Sequence, residues 1–124
     1  PSTPGVGFAI GTDRTLLACD AEKTFQMPEA VIEVFVVDVT GGMEALKLTT
    51  ELRNAGFKTD RAWDNRSMKA QMKLADRSGA LFAIIVGEEE VASDTVILRD
   101  LRESTGQSKI TRETIQEDLR KRLR

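Results

Sequence analysis

Four basic side chains recur at spacings of three, four and four residues: Arg66, Lys69, Lys73 and Arg77. In a helix, this spacing places all four on one stripe of the surface. Such a stripe can neutralise phosphates along an RNA or DNA backbone, because each contact releases condensed counterions. An ordinary solvated helix face has the same pattern. The spacing alone favours a solvated face over a polyanion-binding surface, and both interpretations stay open.

Trp63 and Asn65 stand just before this basic stripe. An unpaired base can stack on an indole ring while an amide side chain hydrogen-bonds to its edge. A tryptophan at this place can also pack beneath the helix as part of the core. The two residues are candidates for base recognition, with burial of the indole as the alternative.

Three adjacent acids, Glu88, Glu89 and Glu90, follow an apolar run. Their carboxylates could accept hydrogen bonds from the amino groups of guanine or cytosine. They could equally form the acidic first turn of a helix, which the helix dipole favours. In open α/β sheets, ligands bind outside the carboxyl ends of the strands, where the strand order reverses. A 2-1-3 order would line that crevice with residues 40–42 and 87–88.

Arg14 lies in the first turn of an expected helix that follows a glycine-rich segment. An arginine there, together with the helix N-terminal amides, can grip a phosphate. An ion pair with Asp13 or Asp20 is the alternative. No complete phosphate-binding loop or dinucleotide fingerprint occurs in the sequence, so we expect no Rossmann-type cofactor site.

The composition excludes several kinds of chemistry. The 124 residues include no histidine and a single cysteine, Cys19, so histidine-based catalysis and a zinc site are excluded and no metal site is expected. A lone cysteine cannot form an internal disulfide, which indicates a reducing compartment. No apolar run approaches the roughly 20 residues of a membrane helix. A chain that begins with Pro1 is expected to be a piece of a longer protein.

The net charge of −2 argues against a general nucleic-acid binder, but it hides a gradient along the chain. Residues 1–52 contain 3 bases and 8 acids, net −5. Residues 53–77 contain 7 bases and 3 acids, net +4. Residues 78–124 contain 8 bases and 9 acids, net −1. The middle block is therefore where a polyanion would bind.

These candidate residues need a scaffold, and the hydrophobic pattern predicts one. Continuous β-branched runs at 31–39 and 81–86 are typical of strands buried on both faces. We expect further strands at 57–63, 95–101 and 107–111, and helices at about 43–55, 67–78 and from 111 onward. Met68, Met72, Ala75 and Gly79 are expected to form the apolar side of the basic helix. The predicted fold is α/β, with a mixed, mainly parallel five-stranded sheet flanked by helices. A strand at 4–11 and a helix capped by Thr12 and running to about residue 22 should precede it.

Two stretches carry a resemblance to a known family. Residues 4–17, PGVGFAIGTDRTLL, resemble motif 3 of class II aminoacyl-tRNA synthetases. Residues 66–91, RSMKAQMKLADRSGALFAIIVGEEEV, resemble the anticodon-binding domain of histidyl-tRNA synthetases. The resemblance implies that residues 1–24 end a class II catalytic domain, that 25–30 form a linker, and that 31–124 are an anticodon-binding domain.

The same resemblance assigns roles to the candidate residues. Arg14 would contact the ATP phosphates, in a site with Gly7, Phe8 and Gly11. Asp13 stands where the family usually has glutamate, which weakens any role for that carboxylate. The tRNA-binding residues would be Arg66, Lys69 and Lys73 for the backbone, and Trp63, Asn65, Glu88, Glu89 and Glu90 for the bases.

The parent protein implied by the resemblance charges tRNA(His) with histidine, using ATP and Mg²⁺, as a cytoplasmic homodimer. The isolated anticodon-binding domain is expected to hold no cofactor, and the chain to contact no membrane. Two alternatives stay open from the sequence alone. One is a non-catalytic, synthetase-like regulatory or accessory subunit that binds protein or nucleic acid with the same fold. The other is a flavodoxin-like small-ligand or signalling domain.

Overall fold

The computed structural model describes residues 1–25, 31–103 and 106–123. The chain divides into two compact units, Pro1–Ala30 and Val31–Arg124. In the first unit, helix α1 spans Thr12–Ala21. Most of the expected linker, residues 26–30, lies outside the described residues. No helix in the described ranges is long and apolar enough to cross a membrane.

The first unit differs from expectation in two respects. Residues 4–11 form no strand within the described residues 1–25, because a strand requires a neighbour to pair with its backbone groups, and these residues have none there. The residue that caps α1 is Gly11, not Thr12, and no side chain contributes a cap hydrogen bond. Thr12 is instead the first residue of the helix.

The second unit alternates strands and helices. Its elements are β1 (Val34–Asp38), α2 (Met43–Asn54), β2 (Thr59–Arg61), α3 (Met68–Ser78), β3 (Phe82–Val86), α4 (Glu88–Ala92), β4 (Thr95–Asp100), β5 (Gln107–Thr111) and α5 (Ile115–Leu123). The sheet order is β2-β1-β3-β4-β5. Strands β2, β1 and β3 are parallel, whereas β4 and β5 pair antiparallel. The predicted mixed five-stranded sheet is confirmed.

Strands β1 and β3 are buried along their whole length, as their continuous apolar sequences predicted. The core has one layer on each face of the sheet. On one face α2 and α5 contribute Leu48, Leu52, Ile115 and Leu119. On the other, Ala75 of α3 packs with Phe35, Val37 and Ile85. Because helices cover both faces of the sheet, the carboxyl ends of β1 and β3 lie at an open end of the unit.

Helix α3 begins and ends where the sequence predicted. Ser67 caps its N-terminus by accepting a hydrogen bond from the Ala70 amide at 3.4 Å. Gly79 ends it in the left-handed conformation, with φ of 71°, which glycine adopts without steric cost. The basic helix is thus held in a defined position at both ends.

Candidate functional site

Gln71 fixes the N-terminal half of α3 against the end of β1. Its side-chain oxygen accepts a hydrogen bond from the Asp38 amide at 3.0 Å. Its side-chain nitrogen donates to the carbonyl oxygens of Asp38, at 2.6 Å, and of Arg66, at 2.8 Å. The residue is only 2% exposed. One buried amide thereby positions the start of the basic helix relative to the sheet, since all three partners are backbone groups.

The side of α3 that faces the core agrees with the predicted one only in part: Ala75 is buried and Met72 packs against the core, as expected. Gln71 and Ala75 are its buried residues, while Met68 is 44% exposed. Gly79 is exposed as well. The helix is rotated so that a polar residue faces inward, and Gln71 can do so because its amide is fully hydrogen-bonded. A signal for this was available, because Gln71 and Ala75 are four residues apart and share one helix face.

The four predicted basic residues of the stripe, Arg66, Lys69, Lys73 and Arg77, are all exposed, but only the last three lie on α3, because Arg66 precedes the cap residue Ser67. Arg66 donates two hydrogen bonds to Asp64 Oδ2, at 3.0 and 2.6 Å. Lys69, Lys73 and Arg77 form no ion pair within the described parts of the chain. Three cations on the helix are therefore open to a polyanion, and the fourth is shared with a carboxylate.

Trp63 lies on the surface. Its side chain is 72% exposed, so the alternative in which it packs beneath α3 is wrong. The guanidinium carbon of Arg61 lies 4.5 Å from the centre of the indole ring, which is a cation–π contact. Asn65 is also exposed, one residue before Arg66. Arg61, which the sequence did not single out, thus holds one face of the ring.

A groove of about 430 Å³ runs between β2 and α3 beside this tryptophan. Apolar side chains of Phe35, Ala62 and Leu74 form part of its wall. Its charged residues are Asp60, Arg61, Asp64, Arg66 and Arg77, and the wall is completed by Trp63 and Ser78. The groove therefore adjoins the basic stripe and contains two of its members.

The carboxyl ends of β1 and β3 form a second candidate surface. Buried Asp38 accepts hydrogen bonds from the Thr40 amide and hydroxyl, both at 2.6 Å, and from the Ala45 amide at 2.8 Å. These bonds fix the turn into α2. A crevice of about 410 Å³ follows, lined by Thr40, Met43, Glu44, Glu88, Val91 and Ala92. The predicted proximity of residues 40–42 and 87–88 is present for Thr40 and Glu88.

The three acids of α4 have different surroundings. Glu88 lines the crevice, and Glu89 is exposed but does not line it. Glu90 is 9% exposed, and its Oε2 accepts a hydrogen bond from the Gly87 amide at 3.1 Å. Glu90 therefore caps the start of α4, which is the alternative that the sequence left open. Its carboxylate is occupied, so the expectation that Glu90 recognises a base does not fit the structure.

Glu44, on the rim of the crevice, belongs to a charged network. The hydrogen bond from Lys47, then that from Arg112, lowers the pKa of the Glu44 carboxyl below its ordinary value. Burial alone would lower the pKa of Arg112, but hydrogen bonding to Glu44 and the charge of Glu51 raise it overall. The network joins α2 to the segment between β5 and α5.

The first unit places Arg14 in the first turn of α1. Gly11, Thr12, Asp13 and Arg14 line a shallow, open pocket there. Gly7 and Phe8, which were expected in the same site, do not line this pocket, and Phe8 is 90% exposed. Among residues 1–25, 31–103 and 106–123, no group of three or more cysteine, aspartate or glutamate residues could hold a metal ion.

Comparison with known proteins places the Val31–Arg124 unit in the class of anticodon-binding domains. A family model described as "Anticodon binding domain" matches residues 33–122. The chain therefore belongs to the anticodon-binding domain family. The match covers β1 to β5, α2 to α4 and both candidate surfaces.

Within this class, the chain is similar to histidine–tRNA ligases. The chain is 41% identical over 104 residues to the enzyme of Syntrophomonas wolfei, covering 82% of this chain and 25% of the relative. It is 37% identical over 123 residues to that of Solidesulfovibrio magneticus, covering 99% and 28%. The chain spans about a quarter of the length of these curated relatives.

A solved structure agrees. The apo histidyl-tRNA synthetase of S. aureus superposes with a TM-score of 0.66 at 29% identity, covering 87% of this chain and 28% of that chain. The predicted resemblance to histidyl-tRNA synthetases is confirmed. The comparisons support this interpretation and not the alternative of a regulatory or accessory subunit.

Proposed function

We propose that the Val31–Arg124 unit binds the anticodon stem-loop of tRNA(His) as part of a longer histidine–tRNA ligase. The observation that carries the proposal is the exposed basic stripe of α3, on a chain that belongs to the anticodon-binding domain family. Lys69 and Lys73 have no carboxylate partner in the described residues, so they can neutralise phosphates without first breaking an ion pair. The charge gradient supports this assignment, because the stripe belongs to the +4 segment.

Contacts to the bases would come from residues outside the basic stripe. Trp63 offers an exposed ring for stacking, with Asn65 nearby in the chain. Glu88 lines the crevice and carries a carboxylate that can accept hydrogen bonds from base amino groups. Glu89 stays a candidate as an exposed carboxylate, whereas Glu90 is removed from the set.

The parent reaction is part of the same proposal. We infer that Arg14 contacts the ATP phosphates, since a guanidinium in the first turn of α1 is aided by the helix N-terminal amides. ATP with Mg²⁺ would activate the carboxyl group of histidine in a cytoplasmic homodimer. Arg14→Ala in the full-length enzyme should slow ATP–pyrophosphate exchange and leave tRNA affinity unchanged. Normal exchange in that variant would contradict the role of Arg14.

A salt titration tests the basic stripe. Arg66→Ala with Lys73→Ala should weaken binding of tRNA(His) and flatten the slope of log K against log salt by roughly one to two units. The matched control removes two exposed arginines away from α3, Arg102→Ala with Arg122→Ala, and should leave the slope unchanged. An unchanged slope in the α3 variant would show that these side chains do not contact phosphates.

A further inference from the structure

The groove between β2 and α3 has a surplus of cations, once its ion pairs are counted. Asp64 is occupied by Arg66 at 2.6 Å. Asp60 lies 3.5 Å from Arg53, which stands outside the groove. Arg61 and Arg77 therefore face the groove with no carboxylate partner in the described part of the chain. Because the groove is walled by Phe35 and Leu74 as well, it offers positive charge beside apolar surface.

The tryptophan that lines this groove is in contact with Arg61 and is otherwise largely exposed. Arg61 covers one face of the Trp63 ring at 4.5 Å, and its Nη1 also donates to the Ala62 carbonyl oxygen at 3.2 Å. Two anchors thus restrict the guanidinium that lies over the indole. With 72% of the residue exposed, the opposite face of the ring is open. An aromatic ring fixed in this way loses little conformational freedom when a base stacks on it.

Arg77 supplies the second part of the site. It lines the groove from the last turn of α3, beside Ser78, and it continues the basic stripe after Lys73. Its exposed guanidinium can donate to a phosphate through two parallel N–H groups. The groove is therefore lined by an indole that can stack on a base and by a guanidinium that can bind a phosphate.

We propose that this groove binds one unpaired nucleotide of the bound RNA, with the base on the open face of Trp63 and a phosphate on Arg77. This inference rests on the proposed function and adds a site apart from the crevice at the carboxyl ends of β1 and β3. Recognition here is independent of base identity, because every base has a face to stack and no base-edge partner is required. The groove adds affinity, and the crevice adds selectivity.

The fluorescence of the chain reports on this site alone, because Trp63 is the only tryptophan and the chain has no tyrosine. Two RNAs should be titrated against the whole 124-residue chain, with binding followed independently by the anisotropy of a dye on the RNA. One is the anticodon stem-loop of tRNA(His), and the other is a fully paired duplex with the same stem. We expect the stem-loop to quench Trp63 fluorescence at the concentrations where anisotropy rises, and the duplex to bind without quenching.

The outcomes separate the two proposals. Binding of the stem-loop without a change in Trp63 fluorescence would overturn the stacking site and leave the proposed function intact. No binding by anisotropy would contradict the proposed function itself. Quenching by the duplex as strong as that by the loop would also overturn the stacking site, since bases inside a duplex are stacked on both faces and have no free face to offer.

Substitutions complete the test, because Trp63 and Arg77 are exposed and their replacement leaves the core intact. Trp63→Leu should weaken stem-loop binding roughly 5- to 150-fold, whereas Trp63→Phe keeps a stacking ring and should lose much less. Arg77→Ala should reduce the quenching at saturation, and Arg122→Ala should not. Equal affinity of the Trp63→Leu variant and the unmodified chain would overturn the proposal.

Discussion

Gln71 is the polar residue on the inner side of α3, and its side-chain amide hydrogen-bonds to backbone groups as a neighbouring strand would. It donates to two carbonyl oxygens and accepts from one amide, all at 3.0 Å or less. The sequence could predict which cations share a stripe, because that depends on spacing alone. The spacing of four residues from Ala75 placed Gln71 on the inner face, but the sequence could not predict that its amide would be satisfied there, because the partners include the distant backbone groups of Asp38.

Removing this amide should be costly. Gln71→Leu leaves the Asp38 amide and two carbonyl oxygens without partners, so we expect a loss of about 2–4 kcal/mol in the free energy of unfolding. Urea denaturation measures it. The same change at exposed Gln107 is the control and should stay within about 0.5 kcal/mol. A loss at Gln71 no larger than that at Gln107 would contradict the role given to the amide.

Glu88 and Glu90 are two residues apart, but truncating them should change the stability of the fold by different amounts. Glu90→Ala removes the acceptor of the Gly87 amide and should lower the free energy of unfolding by about 1 kcal/mol. Glu88→Ala should stay within about 0.5 kcal/mol, since this side chain is exposed and forms no hydrogen bond in the described structure. Thermal unfolding of both variants decides between a cap and a free carboxylate. Equal losses would contradict the distinction.

Among the helices and strands, those with a local sequence signal were predicted correctly, and those that depend on pairing with a distant strand were not. Buried strands β1 and β3 were found because a continuous β-branched run is itself the signal of burial on both faces. The bounds of α3 were found because its cap and its terminal glycine are local signals. The strand expected at 4–11 was wrong, because a strand forms only when another strand pairs with it, and the residues of the segment itself do not show whether one does. The strand expected at 57–63 is shorter, Thr59–Arg61, for the same reason.

The stability contributed by the ion pairs between α2 and the segment before α5 should depend on pH. The lowered pKa of Glu44 means that its ion pairs stabilise the fold above the ordinary carboxyl value of 4.5. This stabilisation is lost as pH falls through the lowered pKa of the folded state. Glu44→Gln should therefore cost about 1 kcal/mol at pH 7 and progressively less below pH 4.5.

Urea denaturation at a series of pH values checks this dependence. Glu113→Gln is the control, because Glu113 is exposed and has no ion pair in the described residues. Its effect should be small at every pH. A difference between the Glu44→Gln variant and the unmodified chain that persists undiminished at pH 3 would contradict the network's electrostatic role.

At the scale of the whole molecule, the distribution of charge matters more than the total. A chain with net charge −2 has a +4 segment, residues 53–77, which includes β2 and the exposed cations of α3. The fold separates this cationic surface from the acidic crevice at the carboxyl ends of β1 and β3. We infer that the basic stripe binds the RNA backbone and that the crevice discriminates among bases.

The most direct test compares two stem-loops that differ only in the anticodon triplet. The 124-residue chain is titrated by anisotropy against the tRNA(His) stem-loop and against the same stem and loop with all three anticodon bases replaced. Replacement should weaken binding tenfold or more, since each base-edge pairing contributes on the order of 1–3 kcal/mol. The salt slope should be the same for both RNAs, because the phosphate contacts are unchanged. Equal affinity for the two loops would contradict anticodon recognition by this domain.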